Sequence, residues 1–361
     1  MDKKIIQSAL VLAEPDPFIR DETEAPKNID LGMSRYLLTL ASDVEKESTT
    51  SGMPNEDAAM HFVRFYIGHF WRFAKTIYDF SPRFLSMLEQ TEDAPVYADV
   101  LKRLPYRDFV MALPAGLGYD GMFVHVEFDE SYGENDTDTL FLLCPFKSAG
   151  RAEDILLKIE MQWCLNGKLF LKSFRDARTA LAEADVTGEG KAGDITVTTT
   201  PGRHGNLNDE TAQADRQQMA RCLRIAVSAC YYLASRNAEI REVRIPKSER
   251  PLIPSSHGGK PKRVAVKAYR VGYALGKSFE QQLKEQSSAS CQTTGPTGGH
   301  TVRPHVRRAH WHHYWTGTGR TTLEVRWIEP TLVLPGGKGE TELPTVRKVH
   351  GPGRKSEAVQ S

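Results

Sequence analysis

The sequence predicts an α+β fold: helices packed on a mostly antiparallel sheet, with C-terminal strands completing the sheet. Three observations carry that expectation. Two long segments, Glu56 to about Glu89 and Glu210 to Arg236, repeat apolar residues at steps of three and four, as helices with one buried stripe do. Between them lie short apolar or alternating runs set apart by turn residues, the pattern of successive antiparallel strands. Beyond residue 300 the alternation returns in two further runs, Arg308–Trp315 and Leu323–Trp327.

The bulk properties fit. The 361 residues are 40% hydrophobic and 26% charged, the proportions of a soluble globular protein. No apolar run reaches the roughly 20 residues that a membrane span requires. The N-terminal MDKKIIQSALVLAEPDPF is too broken by acids and prolines for a signal peptide, so the cytoplasm is the expected compartment. Cys144, Cys164, Cys222, Cys230 and Cys291 are odd in number and lack C-x-x-C spacing, which argues against a zinc site. The net charge of +1 hides an asymmetry. Residues 1–60 carry twelve acids against six bases, residues 241–275 nine bases against two acids, and residues 301–361 ten bases against five acids. The C-terminal third therefore favours an anionic or acceptor-rich partner.

In chain order, residues 1–30 read as a flexible acidic arm punctuated by Pro15, Pro17 and Pro26. A helix is expected from Met33 to Glu47. In the Glu56–Glu89 segment Phe62, Phe65, Tyr66, His69, Phe70, Phe73 and Ile77 form an aromatic stripe, with Ser81-Pro82 breaking or kinking it. Such a stripe marks a core helix before it marks a ligand box. A short helix from Pro95 to Leu104 leads into strands at Phe109–Leu113, Met122–Phe128 and Thr139–Pro145. The glycine-rich AGLGYDG between the first two lacks the lysine and the following helix of a phosphate cradle, so it reads as a turn.

Ile155–Trp163 and Lys168–Phe174 both alternate around Asn166-Gly167, which predicts a hairpin. Glu127, Asp129, Glu130 and Glu160 are better explained as solvated strand residues than as a catalytic carboxylate pair. A helix follows over Ser173–Ala184, then a polar, glycine-rich insertion at 187–208 expected to loop over the surface. After the Glu210–Arg236 helix come a strand at Glu239–Ile245, a second polar insertion at 247–262, a strand at Arg263–Val271 and a helix to about Gln286. Residues 287–302 form a linker, and residues 335–361 a basic tail expected to be disordered. One domain is expected over residues 31–334.

The chemistry is concentrated in RPHVRRAHWHHYWTGTGR, which begins at Arg303. Three arginines, four histidines, two tryptophans and a tyrosine fall between Arg303 and Trp315. If the run is extended, Arg308, His310, His312 and Tyr314 share one face, and Ala309, Trp311, His313 and Trp315 the other. Four readings are open on these residues. The histidines could ligate a metal, but no second ligand cluster accompanies them. Arg303, Arg307 and Arg308 could hold phosphates while Trp311 or Trp315 stacks on bases, although no RNA-binding module is visible. The tryptophans could simply fill the core. Or the stretch could recognise protein, since Trp, Tyr and Arg dominate binding hot spots.

The same string, followed by LEVRW and an apolar finish containing proline, resembles the C-terminus of a family of type V-A anti-CRISPR proteins. This is the family of the second named member of that series and its homologues on mobile elements, which blocks biogenesis of the effector nuclease rather than the assembled enzyme. The upstream order is also similar. It comprises an aromatic N-terminal helix, a strand begun by Leu104-Pro105 and ending at Leu113, a long apolar helix ending near Asn237-Ala238-Glu239-Ile240, and a strand turning through Val271-Gly272 to Leu275-Gly276.

The resemblance implies a binding protein rather than an enzyme, with no catalytic residue, cofactor or metal. Its implied partner is the nascent N-terminal polypeptide of a type V-A effector nuclease, whose mRNA is then lost in a translation-dependent way. The ribosome, host RNA-degradation machinery and RNA itself are further partners to test. On this reading Arg307, Arg308, His310, Trp311, His312, Tyr314 and Trp315 wall a peptide-binding groove. An RNA-binding regulator using the same stretch, and a metal-dependent nuclease using the histidines, are the competing functions.

Overall fold

The computed structural model describes residues 67–68, 70–71, 74–113, 119–128, 137–147, 155–162, 169–187, 189–192, 195–199, 210–253, 260, 262–289 and 305–333. The expected acidic arm, the Met33–Glu47 helix, His69, Phe73, Cys164, Cys291, the 287–302 linker apart from its first residues, and the basic tail lie outside them. Contacts divide the chain into two units. One comprises residues 1–293 and 308–330, the other residues 294–307 and 331–361.

The first unit is built on a nine-stranded sheet. In chain order its strands are β1 (Thr76–Phe80), β3 (Asp108–Ala112), β4 (Tyr119–Glu127), β5 (Thr137–Lys147), β6 (Ile155–Gln162), β8 (Glu189–Ala192), β9 (Ile195–Thr199), β10 (Ile240–Val243) and β13 (Lys267–Val271). Their spatial order is β10-β13-β1-β3-β4-β5-β6-β9-β8. β1 is parallel to both β13 and β3, and every other pairing is antiparallel. Short ladders join β2 (Val96–Tyr97) to β7 (Leu169–Leu171) and β11 (Leu252–Ile253) to β12 (Lys262–Arg263). The helices are α1 (Pro82–Glu89), α2 (Ala98–Leu101), α3 (Phe174–Thr187), α4 (Glu210–Leu233) and α5 (Tyr273–Ala289). The α+β class is therefore as expected.

Both faces of the central strands are buried. Tyr78, Phe80, Phe109, Met111, Met122, Val124, Leu140 and Leu142 meet Phe84, Leu88, Leu223, Ala226 and Cys230 of the helices in one core. On the opposite face Ile77, Val110, Phe123 and Leu143 are also buried, as are Ile67 and Trp71. Trp71 packs edge-on against Phe123 at 5.6 Å, and its indole N–H donates to the Thr76 carbonyl at 2.8 Å. Strands enclosed on two sides lose the polar alternation of a half-wet sheet.

Four expectations are corrected. The long helix to Glu89 is interrupted, because residues 76–80 form the central strand β1. TIYDF is rich in β-branched and aromatic residues, and Ser81 caps α1 in front of Pro82, so the tertiary site for a strand overrides the helical spacing. The Asn166-Gly167 hairpin does not form its ladder: β6 pairs with β5 and β9, and β7 pairs with β2. Both edges of β6 are already occupied. The β9 strand that occupies one of them comes from the 187–208 insertion, which thus builds the sheet edge instead of looping over the surface. Finally, the C-terminal strands do not join the sheet. Among the described residues β15 (His310–Thr316) and β16 (Thr322–Ile328) pair only with each other, and in the second unit β14 (His305–Arg307) pairs with β17 (Thr331–Val333).

Where β13 enters α5 the chain turns through Gly272 at φ +68°. A Cβ there would lie 2.3 Å from the Phe84 ring, so only glycine fits. Glu239 caps α5, its carboxylate accepting from the Ala274 and Leu275 amides at 3.0 and 3.2 Å.

Candidate functional site

The β15–β16 hairpin is the part of the first unit where the expected site residues gather. Its alternation gives it two unlike faces. Inward, Ala309, Trp311, Leu323, Val325 and Trp327 are buried. Trp311 packs edge-on against Tyr231 of α4 at 5.1 Å, and Trp327 meets Phe84 at 5.1 Å and Tyr232 at 6.0 Å. The Trp327 indole N–H donates to the Thr91 hydroxyl at 3.1 Å. Polar clamps fix the backbone. Asn237 donates to the Trp327 carbonyl and accepts its amide, the Arg236 amide donates to Val325, the Glu92 amide to Ala309, and the Arg103 guanidinium to the Leu323 carbonyl.

Outward, His312 and Arg326 are exposed, and His310, Tyr314 and Glu324 half-buried. Across the ladder His310 faces Ile328, His312 faces Arg326 and Tyr314 faces Glu324. Arg326 lies over the Tyr314 ring at 5.2 Å and donates to its hydroxyl at 2.7 Å. Arg236 donates to Glu324 at 2.9 Å. Although its burial acts to raise the Glu324 pKa, hydrogen bonds from Arg236 and Thr316 outweigh it and hold the carboxyl below its ordinary value. The outer face is thus a prearranged polar and aromatic surface, two strands wide.

His313 belongs to the inner face. Its Nε2 lies 2.6 Å from the Tyr231 hydroxyl, and the Pro95 backbone also bonds the ring. A proline offers only a carbonyl, so the proton sits on the other nitrogen and Nε2 accepts from Tyr231. Burial of the phenol raises the Tyr231 pKa and keeps it a donor. Burial, followed by the neighbouring His312, lowers the His313 pKa and keeps that ring neutral.

Two of the expected residues sit differently. Trp315 shares the parity of the buried Ala309 and Trp311, yet it is 57% exposed. The hairpin outruns the body it packs on, and Trp315 lies one residue before the Thr316–Gly317 turn. Arg307 belongs to β14 in the second unit, opposite Thr331. Arg308 is exposed and lines a cavity of about 520 Å³ with Glu89, Gln90, Thr91, Glu92, Asp93 and Arg224. Arg303 is outside the described residues. Among the described residues no three His, Cys, Asp or Glu side chains converge as metal ligands.

Sequence spacing did not reveal Arg103, Glu92, Tyr231 or Asn237, whose hydrogen-bonded partners in the hairpin region lie from 82 to 220 residues away. A weak sign existed for Asn237 alone, since asparagine just beyond a long helix often serves local capping.

The matched region decides the family. A model described as AcrVA2-like, the anti-CRISPR type V subtype A2 family, matches residues 78–335, from β1 to beyond the hairpin. This chain belongs to that family. The AcrVA2-like match covers every anchor of the hairpin as well as the hairpin itself. Among solved structures, one titled "Crystal structure of AcrVA2" aligns over 91% of each chain at 14% identity and a TM-score of 0.42. Curated proteins give no sequence match.

Proposed function

We propose that this AcrVA2-like protein binds the nascent N-terminal polypeptide of a type V-A CRISPR effector nuclease and so brings about translation-dependent loss of the effector mRNA. It acts as a binding and regulatory protein in the cytoplasm of a bacterial host, and host machinery cuts the message. The observation that supports this is the division of labour in the hairpin. Trp311 and Trp327 are committed to the core, while His312, Tyr314 and Arg326 face outward and Trp315 is exposed beside the hairpin turn. Rigid aromatic and arginine side chains already held in place lose little entropy on binding a partner. No helix among the described residues is long and apolar enough to cross a membrane.

The test is co-expression with a type V-A effector gene, following effector protein and mRNA together. Both fall, and synonymous recoding of the first codons leaves the loss intact, because recoding changes the RNA and keeps the peptide. Altering the encoded N-terminal residues abolishes it. Loss of sensitivity on synonymous recoding instead would transfer the function to RNA recognition.

A further inference from the structure

The hairpin register determines where its backbone groups point. In an antiparallel pair, residues bonded across the ladder alternate with residues whose N–H and C=O face away. On β16 the outward set is identified by its partners. The Leu323 carbonyl accepts from Arg103, the Val325 carbonyl from the Arg236 amide at 3.1 Å, and Trp327 bonds Asn237 through both groups. Opposite these three stand Trp315, His313 and Trp311 of β15. Their amides and carbonyls therefore point away from β16, along the hairpin's other edge. That edge is closed at its start, where the Ala309 carbonyl accepts the Glu92 amide at 2.8 Å. From Trp311 to Trp315 it meets no backbone partner among the described residues.

Open edges are templates for pairing, and proteins ordinarily blunt them with short strands, charges or proline. The nine-stranded sheet does so. Its edge strands β10 and β8 have four residues each; Arg241 and Glu242 lie on the first, Glu189 and Lys191 on the second. The Lys191 amide is further capped by Glu183 at 2.9 Å. β15, by contrast, is seven residues long, HWHHYWT, without lysine, arginine, carboxylate, proline or glycine, and Trp315 stands exposed at its far end.

We infer that the β15 edge from Trp311 to Trp315 binds an extended polypeptide segment by strand addition. The inference rests on the peptide-capture function proposed above and supplies its site and mode. The incoming main chain pairs with the outward amides and carbonyls of Trp311, His313 and Trp315. Its alternate side chains lie beside His312 and Tyr314 on the outer face, and the Trp315 indole covers one on the other face. A peptide supplies alternating donors and acceptors at the spacing this edge requires; a nucleic-acid backbone, with phosphate acceptors and, in RNA, 2′-hydroxyls, does not.

The experiment uses the full chain and a synthetic peptide of the effector's first twenty or so residues. Amide hydrogen exchange is followed at β15 by NMR. Peptide binding should slow exchange at His313 and Trp315 at least about tenfold and leave His312 and Tyr314, already bonded to β16, unchanged. N-methylating alternate peptide bonds of the ligand should weaken binding about tenfold or more in one parity and little in the other. Trp315→Pro removes an outward N–H without removing a ladder bond, so it should bind more weakly than Trp315→Ala. Binding with neither edge protection nor a parity effect would overturn strand addition while leaving peptide capture standing. No peptide binding, or binding only to the 5′ coding RNA, would overturn both.

Discussion

Asn237 holds Trp327 by both of its backbone groups, donating to the carbonyl at 2.8 Å and accepting from the amide at 3.1 Å. One side-chain amide thereby stands in for a neighbouring strand along β16, and joins the end of α4 to the hairpin. Asn237→Ala leaves both groups without that partner and should destabilise the protein by about 2–3 kcal/mol, read by chemical denaturation. Asn237→Asp keeps the acceptor and loses the donor, so it should fall between. Equal stability of all three would show that water replaces the clamp at no cost.

The two tryptophans of β15 should separate cleanly. Trp311 is buried against Tyr231, and Trp311→Ala should cost about 3–5 kcal/mol. Trp315 is exposed, so Trp315→Ala should change stability by no more than about 0.5 kcal/mol. In co-expression, however, Trp315→Ala should restore effector mRNA, as should alanine at His312 or Arg308. A stable Trp315→Ala protein that silences fully would remove Trp315 from the binding surface.

These pairs show what the sequence could and could not disclose. The faces of β15 follow from a period of two, and the side chains of 309, 311, 312 and 313 obey it. Trp315 breaks it because exposure depends on where the supporting body ends, which no local pattern records. The strand at 76–80 was masked by helical spacing on either side, since Ile77 continues the aromatic stripe. β9 was hidden differently: ITVTT is β-branched throughout but short and flanked by polar, glycine-rich sequence, and its value lies in the β6 edge it covers. The anchors Arg103, Tyr231 and Asn237 are long-range contacts of single residues, and a single sequence carries no periodicity for them.

Gly272 offers a test of the junction between β13 and α5. Alanine there combines a positive φ with a Cβ driven into the buried Phe84 ring, which itself packs on Tyr232 and Trp327. Gly272→Ala should cost more than about 3 kcal/mol, from backbone strain and overpacking together. Gly319→Ala, also at positive φ but with nothing nearer than 3.8 Å, should cost only about 1 kcal/mol. Similar losses at both, in denaturant titrations, would mean that the Phe84 contact relaxes freely.

The buried His125 should make stability fall in mild alkali. Its Nδ1 lies 2.5 Å from Asp108 Oδ1, Phe70 stacks on the ring at 4.8 Å, and Nε2 is 3.1 Å from Glu127 Oε1. The last separation suits an ion pair. Burial on its own lowers the pKa; the hydrogen bond and charge of Asp108, with those of Glu127, reverse it and carry it up to about 9. The folded pKa thus lies above the unfolded value of about 6.5, so the folded state holds the proton more tightly. The stabilisation is fully present below about pH 6.5 and is lost as pH rises through about 9. It amounts to at most about 3 kcal/mol. Urea midpoints should therefore decline between pH 7 and pH 9.5, and His125→Gln should be less stable at pH 7 and lose the decline. A midpoint that stays level for the natural protein across that interval would mean that His125 is neutral in the fold, its charge never formed between the two carboxylates.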